Sequence, residues 1–126
     1  MSASNYKHLP PTLPLKNEGT LDECLLYYFP DLSEKELIVC GMIVNAYHDQ
    51  FHISYGMLAA TTADYHKIFQ DEKEVEAIID ELIQKGIVIT TFFKDDVYML
   101  TLAYDLQDSL AYGLRSGRIV DEHYPF

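Results

Sequence analysis

The chain has no tryptophan, two cysteines, six glycines and only nine lysines and arginines among its 126 residues. Each shortage excludes something. Cys24 and Cys40 lie inside the apolar runs Cys24-Leu25-Leu26 and Ile38-Val39-Cys40. Two such cysteines make no disulfide framework, and a metal knot needs more ligands nearby. They read as buried free thiols of a reducing compartment. No two glycines are adjacent, so there is no glycine-rich phosphate loop. Neither a nucleophile elbow nor a Cys–His pattern is present. Twenty aspartates and glutamates offer many carboxylate pairs, and no spacing singles one out for acid–base work. The expectation is therefore no enzyme and no cofactor. No apolar run approaches the roughly 20 residues that span a bilayer. The N-terminus lacks a basic stretch followed by an apolar one, so no signal peptide is expected. A cytoplasmic protein without a membrane partner follows.

The cations are dispersed: Lys7, Lys16, Lys35, Lys67, Lys73, Lys85, Lys94, Arg115 and Arg118, of which only the last two fall within one helical turn. With a formal net charge of −11, the chain is repelled at long range by nucleic acid and by anionic membranes. Hydrophobic residues make up 48% of it, enough for one globular domain with its own core.

Residues 1–19 read as an extended arm, because Pro10, Pro11 and Pro14 forbid regular helix. Leu9, Leu13 and Leu15 either dock it in a groove or leave it frayed. Residues 20–116 are expected to form the domain, with its core within 33–102 and a tail over 117–126. Thr20 and Glu23 form a capping box opening a short helix that Pro30 stops. Ser33 and Glu36 form a second box, before the apolar run Leu37–Val44 of a central buried helix that ends near Tyr47 or His48. Phe51-His52-Ile53 is extended, and Ser54 caps a helix running to about Thr62. Residues 63–70 are ambiguous: Asp64 is placed to cap one more turn, and Tyr65, Ile68 and Phe69 are large enough to tuck under. Asp71 and Glu74 make a third box. Val75, Ile78, Ile79, Leu82 and Ile83 follow the spacing of one buried helical face, which Gly86 terminates. Ile87–Phe93 and Val97–Leu102 flank Lys94-Asp95-Asp96 as a hairpin. Asp105 is expected to cap a last helix with Leu106, Leu110 and Leu114 on one face, ending at Gly117.

This order of helix, strand, helix, helix and hairpin resembles the winged helix-turn-helix superfamily. So do Ser54-Tyr55-Gly56-Met57-Leu58-Ala59, Glu81-Leu82-Ile83-Gln84-Lys85-Gly86-Ile87-Val88 and Val97-Tyr98-Met99-Leu100-Thr101. The similarity covers about residues 33–102. It is nearest to winged-helix domains of bacterial, phage and plasmid replication or regulatory proteins. The resemblance implies an α+β fold with added terminal helices, a DNA-reading third helix and a wing gripping the backbone. It also implies a small regulator of transcription or replication.

The charge departs from that pattern. With the apolar stripe inward, the outward row is Lys73, Glu76, Ala77, Asp80 and Gln84, flanked by Glu72, Glu74 and Glu81. Major-groove readers are Arg, Lys, Asn and Gln, and carboxylates repel the phosphates that give duplex affinity. Lys67, Lys73 and Lys94 are the candidate nucleic-acid contacts, too few for tight binding by a monomer. The outward row is therefore a candidate face for a protein partner, each acid solvated in the free chain. A second reading is an acidic adaptor or DNA-mimic inhibitor that never touches DNA. Leu106, Leu110 and Leu114 form either a homodimer seam or a face folded back on the domain. Ten tyrosines either fill a core lacking tryptophan or mark an interaction surface. His48 and His52 have metal-ligand spacing but no third ligand, and His66 sits beside Lys67.

Overall fold

A computed structural model of the protein describes residues 18–48, 53–93 and 97–120. The side chains of residues 47, 48, 91–93, 97, 98, 104, 105, 109 and 111 are not among those described. The arm over residues 1–17, the His48–His52 pair, Lys94 and the hairpin tip lie outside the described residues.

The fold is mixed α+β. In chain order it runs β1 (Gly19–Thr20), α1 (Leu21–Tyr28), α2 (Glu34–His48), β2 (Ile53–Ser54), α3 (Tyr55–Tyr65), α4 (Glu72–Gln84), β3 (Val88–Phe93), β4 (Val97–Leu102), α5 (Tyr104–Arg115) and β5 (Ile119–Val120). One sheet has the order β2-β4-β3, antiparallel throughout, with Ile53 opposite Leu100 and Thr90 opposite Leu100 on the other side.

Local chemistry explains the starts of the helices. Thr20 accepts from the Glu23 amide while the Glu23 carboxylate accepts from the Thr20 amide, a complete capping box. Ser33 and Glu36 repeat it at α2. The Ser54 hydroxyl accepts from the Met57 amide and opens α3. Asp71 caps α4 through the Glu74 amide, but the expected reciprocal bond differs: the Glu74 carboxylate accepts from the Gln70 amide, one residue earlier. Helix α3 runs on to Tyr65, past the expected end at Thr62, so Asp64 lies within its last turn and caps nothing new. The last helix begins at Tyr104 with Ala103 as its N-cap and no side-chain cap, which places Asp105 inside the first turn.

The helix ends are equally local. Gly86 has φ 79°, and the Ile87 amide donates to the Leu82 carbonyl while the Gly86 amide donates to that of Ile83. This is a Schellman ending, which needs the left-handed residue that glycine supplies without strain. It turns α4 directly into β3, with Leu82 and Ile87 both buried. Gly117 ends α5 in the same way.

Helix α2 is the centre. Leu37, Val39, Cys40, Met42, Ile43 and Val44 are all buried, and α1, α3, α4, α5, β2 and β4 pack around it. From α4 come Val75, Ile79 and Leu82, fully buried, with Ile78 and Ile83 at the margin. Leu106 and Leu110 of α5 are buried in this same core, and Leu114 packs against it. The leucine stripe therefore packs on its own domain, the second of the two readings that its spacing allowed. The buried Gln107 amide donates to Thr101 Oγ1 and to the Leu102 carbonyl, pinning α5 to the end of β4.

Residues beyond Gly117 are not simply a tail. Ile119 and Val120 pair in parallel with Gly19 and Thr20, and Ile119 is buried. The segment before α1 and the segment after α5 thus meet. Among the described residues the core is mainly aliphatic, and no tyrosine is fully buried in it. Tyr27, Tyr65 and Tyr112 are exposed, and Tyr28 and Tyr55 are only partly buried. Of the three large residues after α3's expected end, only Phe69 is buried; Tyr65 and Ile68 face outward.

Ile79 is completely buried between α4 and α2. Ile79→Ala should lower the unfolding free energy by roughly 2–5 kcal/mol, the range for truncating a buried aliphatic side chain. Chemical denaturation checks it, and an unchanged midpoint would refute the register of α4.

Candidate functional site

The outward side of α4 follows from its inward side. Lys73, Ala77, Asp80, Glu81 and Gln84 are exposed and Glu76 is half-buried. Lys67 is exposed in the turn before the helix. The row expected at the surface is thus brought together on one helix face.

Two of the chain's few cations are drawn inward. Successive residues of α2 reach opposite ends of α4: Lys35 pairs with Glu74 in its first turn, and Glu36 pairs with Lys85 at its C-cap, 2.6 Å apart. Lys35 also lies over the Phe69 ring, 5.8 Å from its centre. Glu74 therefore turns towards α2 and does not flank the outer row. Lys35 and the Gln70 amide hold its carboxyl below the ordinary value.

The Glu36 carboxylate is buried. Burial alone raises its pKa. The bond from Lys85, the Ser33 amide, the Lys85 charge and the Ser33 hydroxyl together outweigh burial, and the net shift is downward from 4.5. Cys40, one turn along α2, is pushed up to about 12 by burial and by the Glu36 charge. It is an inert thiol.

On the outer side, α3 grips α4. The Tyr55 hydroxyl donates to Asp80 Oδ1 at 2.9 Å, and the Glu76 carbonyl oxygen is a second acceptor at 3.3 Å. Burial, the bond to Asp80 and the neighbouring carboxylate charges push Tyr55 up to about 12. Asp80 is thus not simply solvated, as expected from the sequence. It fixes the angle between α3 and α4 while its charge stays at the surface. No local pattern signals this bond, since the partners are 25 positions apart.

The other feature missed in the sequence is the outward side of α3. Gly56, Met57, Asp64 and Tyr65 are exposed and Ala60 and Thr61 are half-buried, so Asp64 is the only charge on that stripe. Met57 is 63% exposed, and Ile68 continues the apolar surface past the helix end. The helical spacing of these residues was visible in the sequence. Partial burial lowers the His66 imidazole below its ordinary 6.5. Among the described residues no group of His, Cys, Asp and Glu is arranged to hold a metal ion, and no helix is long and apolar enough to cross a membrane.

Compared with protein-family models, with curated proteins and with solved structures, the chain matches none of them.

Two outcomes test this geometry. Tyr55→Phe should cost about 0.5–1.5 kcal/mol of stability, the worth of one hydrogen bond. A difference below about 0.2 kcal/mol in thermal or chemical unfolding would show that the α3–α4 clamp is idle. The Glu36 pair sets a pH dependence. Its folded pKa lies below the unfolded value of 4.5, so its contribution is present above pH 4.5 and is lost as pH falls through the folded value. Glu36→Gln should therefore be less stable than the parent at neutral pH, with the gap closing below pH 4.5. A gap that stays constant as pH falls well below 4.5 would refute the assignment.

Proposed function

We propose that the chain is a small winged-helix regulator of transcription or replication that works through protein contacts, and that α4 does not read DNA. The winged-helix part rests on element order: α2, β2, α3, α4 and the β3–β4 hairpin, with β4 central in the sheet, correspond to the superfamily's arrangement. The field of action comes from fold analogy.

One observation carries the rest. The helix at the DNA-reading position presents Glu76, Asp80 and Glu81 outward, while Lys35 and Lys85 are tied to carboxylates on the inner side. A duplex binder needs several unpaired cations aligned with phosphates. Here Lys67 and Lys73 stand at one end of the face, and the carboxylates occupy its middle. Such a surface suits a cationic protein partner, for which complementary charge speeds encounter and excludes wrong partners.

Titrating the purified chain with a random-sequence duplex tests this. The dissociation constant should be about 10⁻⁴ M or weaker at physiological salt. Sub-micromolar binding at that salt would overturn the reading.

A further inference from the structure

We infer that the outer edge of β3 pairs antiparallel with β3 of a second copy, joining the two sheets across a two-fold axis at Thr91. The inference is independent of what α4 binds.

The hydrogen-bond phase of the hairpin shows which groups are free. The Ala103 amide donates to the Ile87 carbonyl. These two residues stand one step beyond the Val88–Leu102 pair, directly opposite each other. In an antiparallel ladder such bonded pairs alternate with unbonded ones. Ile89, Thr91 and Phe93 therefore turn their amides and carbonyls towards β4, and Val88, Thr90 and Phe92 turn theirs away. β3 lies at the edge of the sheet, with no strand on its outer side among the described residues. Val88 is buried, which puts its groups out of reach, whereas Thr90 is exposed. The template left is Thr90 and Phe92.

That template selects the register. Outward groups meet outward groups only when residues of the same set stand opposite each other. Without Val88, the antiparallel register that uses both residues sets Thr90 against Phe92 of the second copy, and Phe92 against its Thr90. Each pair exchanges both hydrogen bonds. The two-fold then falls on Thr91 and gives the closed, self-complementary interface of a symmetric dimer.

The occupant follows from charge and from proline. Monomeric proteins guard a sheet edge with lysine, proline or a bulge. Residues 87–93 carry no charge and no proline, and β3 pairs with β4 without a bulge from Val88 to Phe93. Two copies of net charge −11 repel each other at long range, but along this edge no like charges stand opposite each other. The chain's own ends fit worse. Pro10, Pro11 and Pro14 lack donors, and residues 121–126 open with Asp121-Glu122 and contain Pro125. So short a pairing belongs to the small, transient class of interfaces.

The test uses the full chain alone, by sedimentation and by hydrogen exchange of assigned amides. Raising the protein from about 0.02 mM to about 1 mM should convert monomer to dimer, as a small interface does. Over that range the Thr90 and Phe92 amides should slow at least about tenfold, while those of Ile89 and Thr91 are already slow in the monomer. Salt should strengthen the association, because it screens the like net charges and the edge holds no ion pair.

Thr90→Pro removes a donor that the β3–β4 ladder does not use. It should keep the far-ultraviolet spectrum and lower the association constant at least about tenfold. Thr90→Lys puts a guarding charge at the same exposed position and should weaken pairing likewise, which keeps the test decisive where proline disturbs the hairpin. The inference is overturned if the chain stays monomeric up to about 1 mM. It is overturned if the dimer forms while Thr90 and Phe92 still exchange freely, or if both Thr90 variants associate as the parent does. Slow exchange of these two amides in the dilute monomer would overturn it too, since the chain's own ends would then cover the edge.

Discussion

The burial of Val75, Ile79 and Leu82 against α2 is the constraint on which the rest depends. A helix with one apolar stripe has one stable rotation, because turning it would expose three aliphatic side chains at about 1.5–3 kcal/mol each. That rotation decides which carboxylates face out. It also sets the ends: Asp71 caps the start of α4, and the left-handed Gly86 sends the chain straight into β3. The position of the hairpin and of α3 against α4 follows.

Electrostatics then separates two populations of charge. Lys35 and Lys85 lie on the inner side, where Glu74 and Glu36 meet them. The Glu36–Lys85 pair is the one with a buried carboxylate, so its energetics include a desolvation cost that the bonds from Lys85 and Ser33 offset. Its clearest contribution is to hold the end of α4 on the start of α2. The outer acids lie at the surface, and Asp80 does so while anchoring Tyr55. Under the proposed reading, the helix at the DNA-reading position presents carboxylates outward and favours a cationic partner.

Most of the helical architecture was legible because its causes are local. Thr20/Glu23 and Ser33/Glu36 are capping boxes within four residues, and Gly86 and Gly117 mark helix ends by their own conformational freedom. The stripe on α4 was legible because its period is helical. What was not legible depends on contacts between distant residues. The pairing of Gly19–Thr20 with Ile119–Val120 joins segments about a hundred positions apart, and two-residue strands carry no pattern. The Tyr55–Asp80 bond and the Lys35 and Lys85 ion pairs are of the same kind. Tyrosine misled for another reason: enough leucine, isoleucine and valine were present to fill the core, which left the described tyrosines at or near the surface. The leucines of α5 fit a dimer seam and an internal face equally by spacing, and only the packing on α2 separated the two.

The central claim is that the outward side of α4 is negative in the folded protein in solution. Soluble nitroxides of opposite charge measure this directly. A cationic nitroxide should enhance the relaxation of the amides of Glu76–Gln84 more than an anionic one, with the difference shrinking as salt shortens the Debye length to about 3 Å at 1 M. Equal enhancement by the two, or stronger enhancement by the anionic one, would contradict the account.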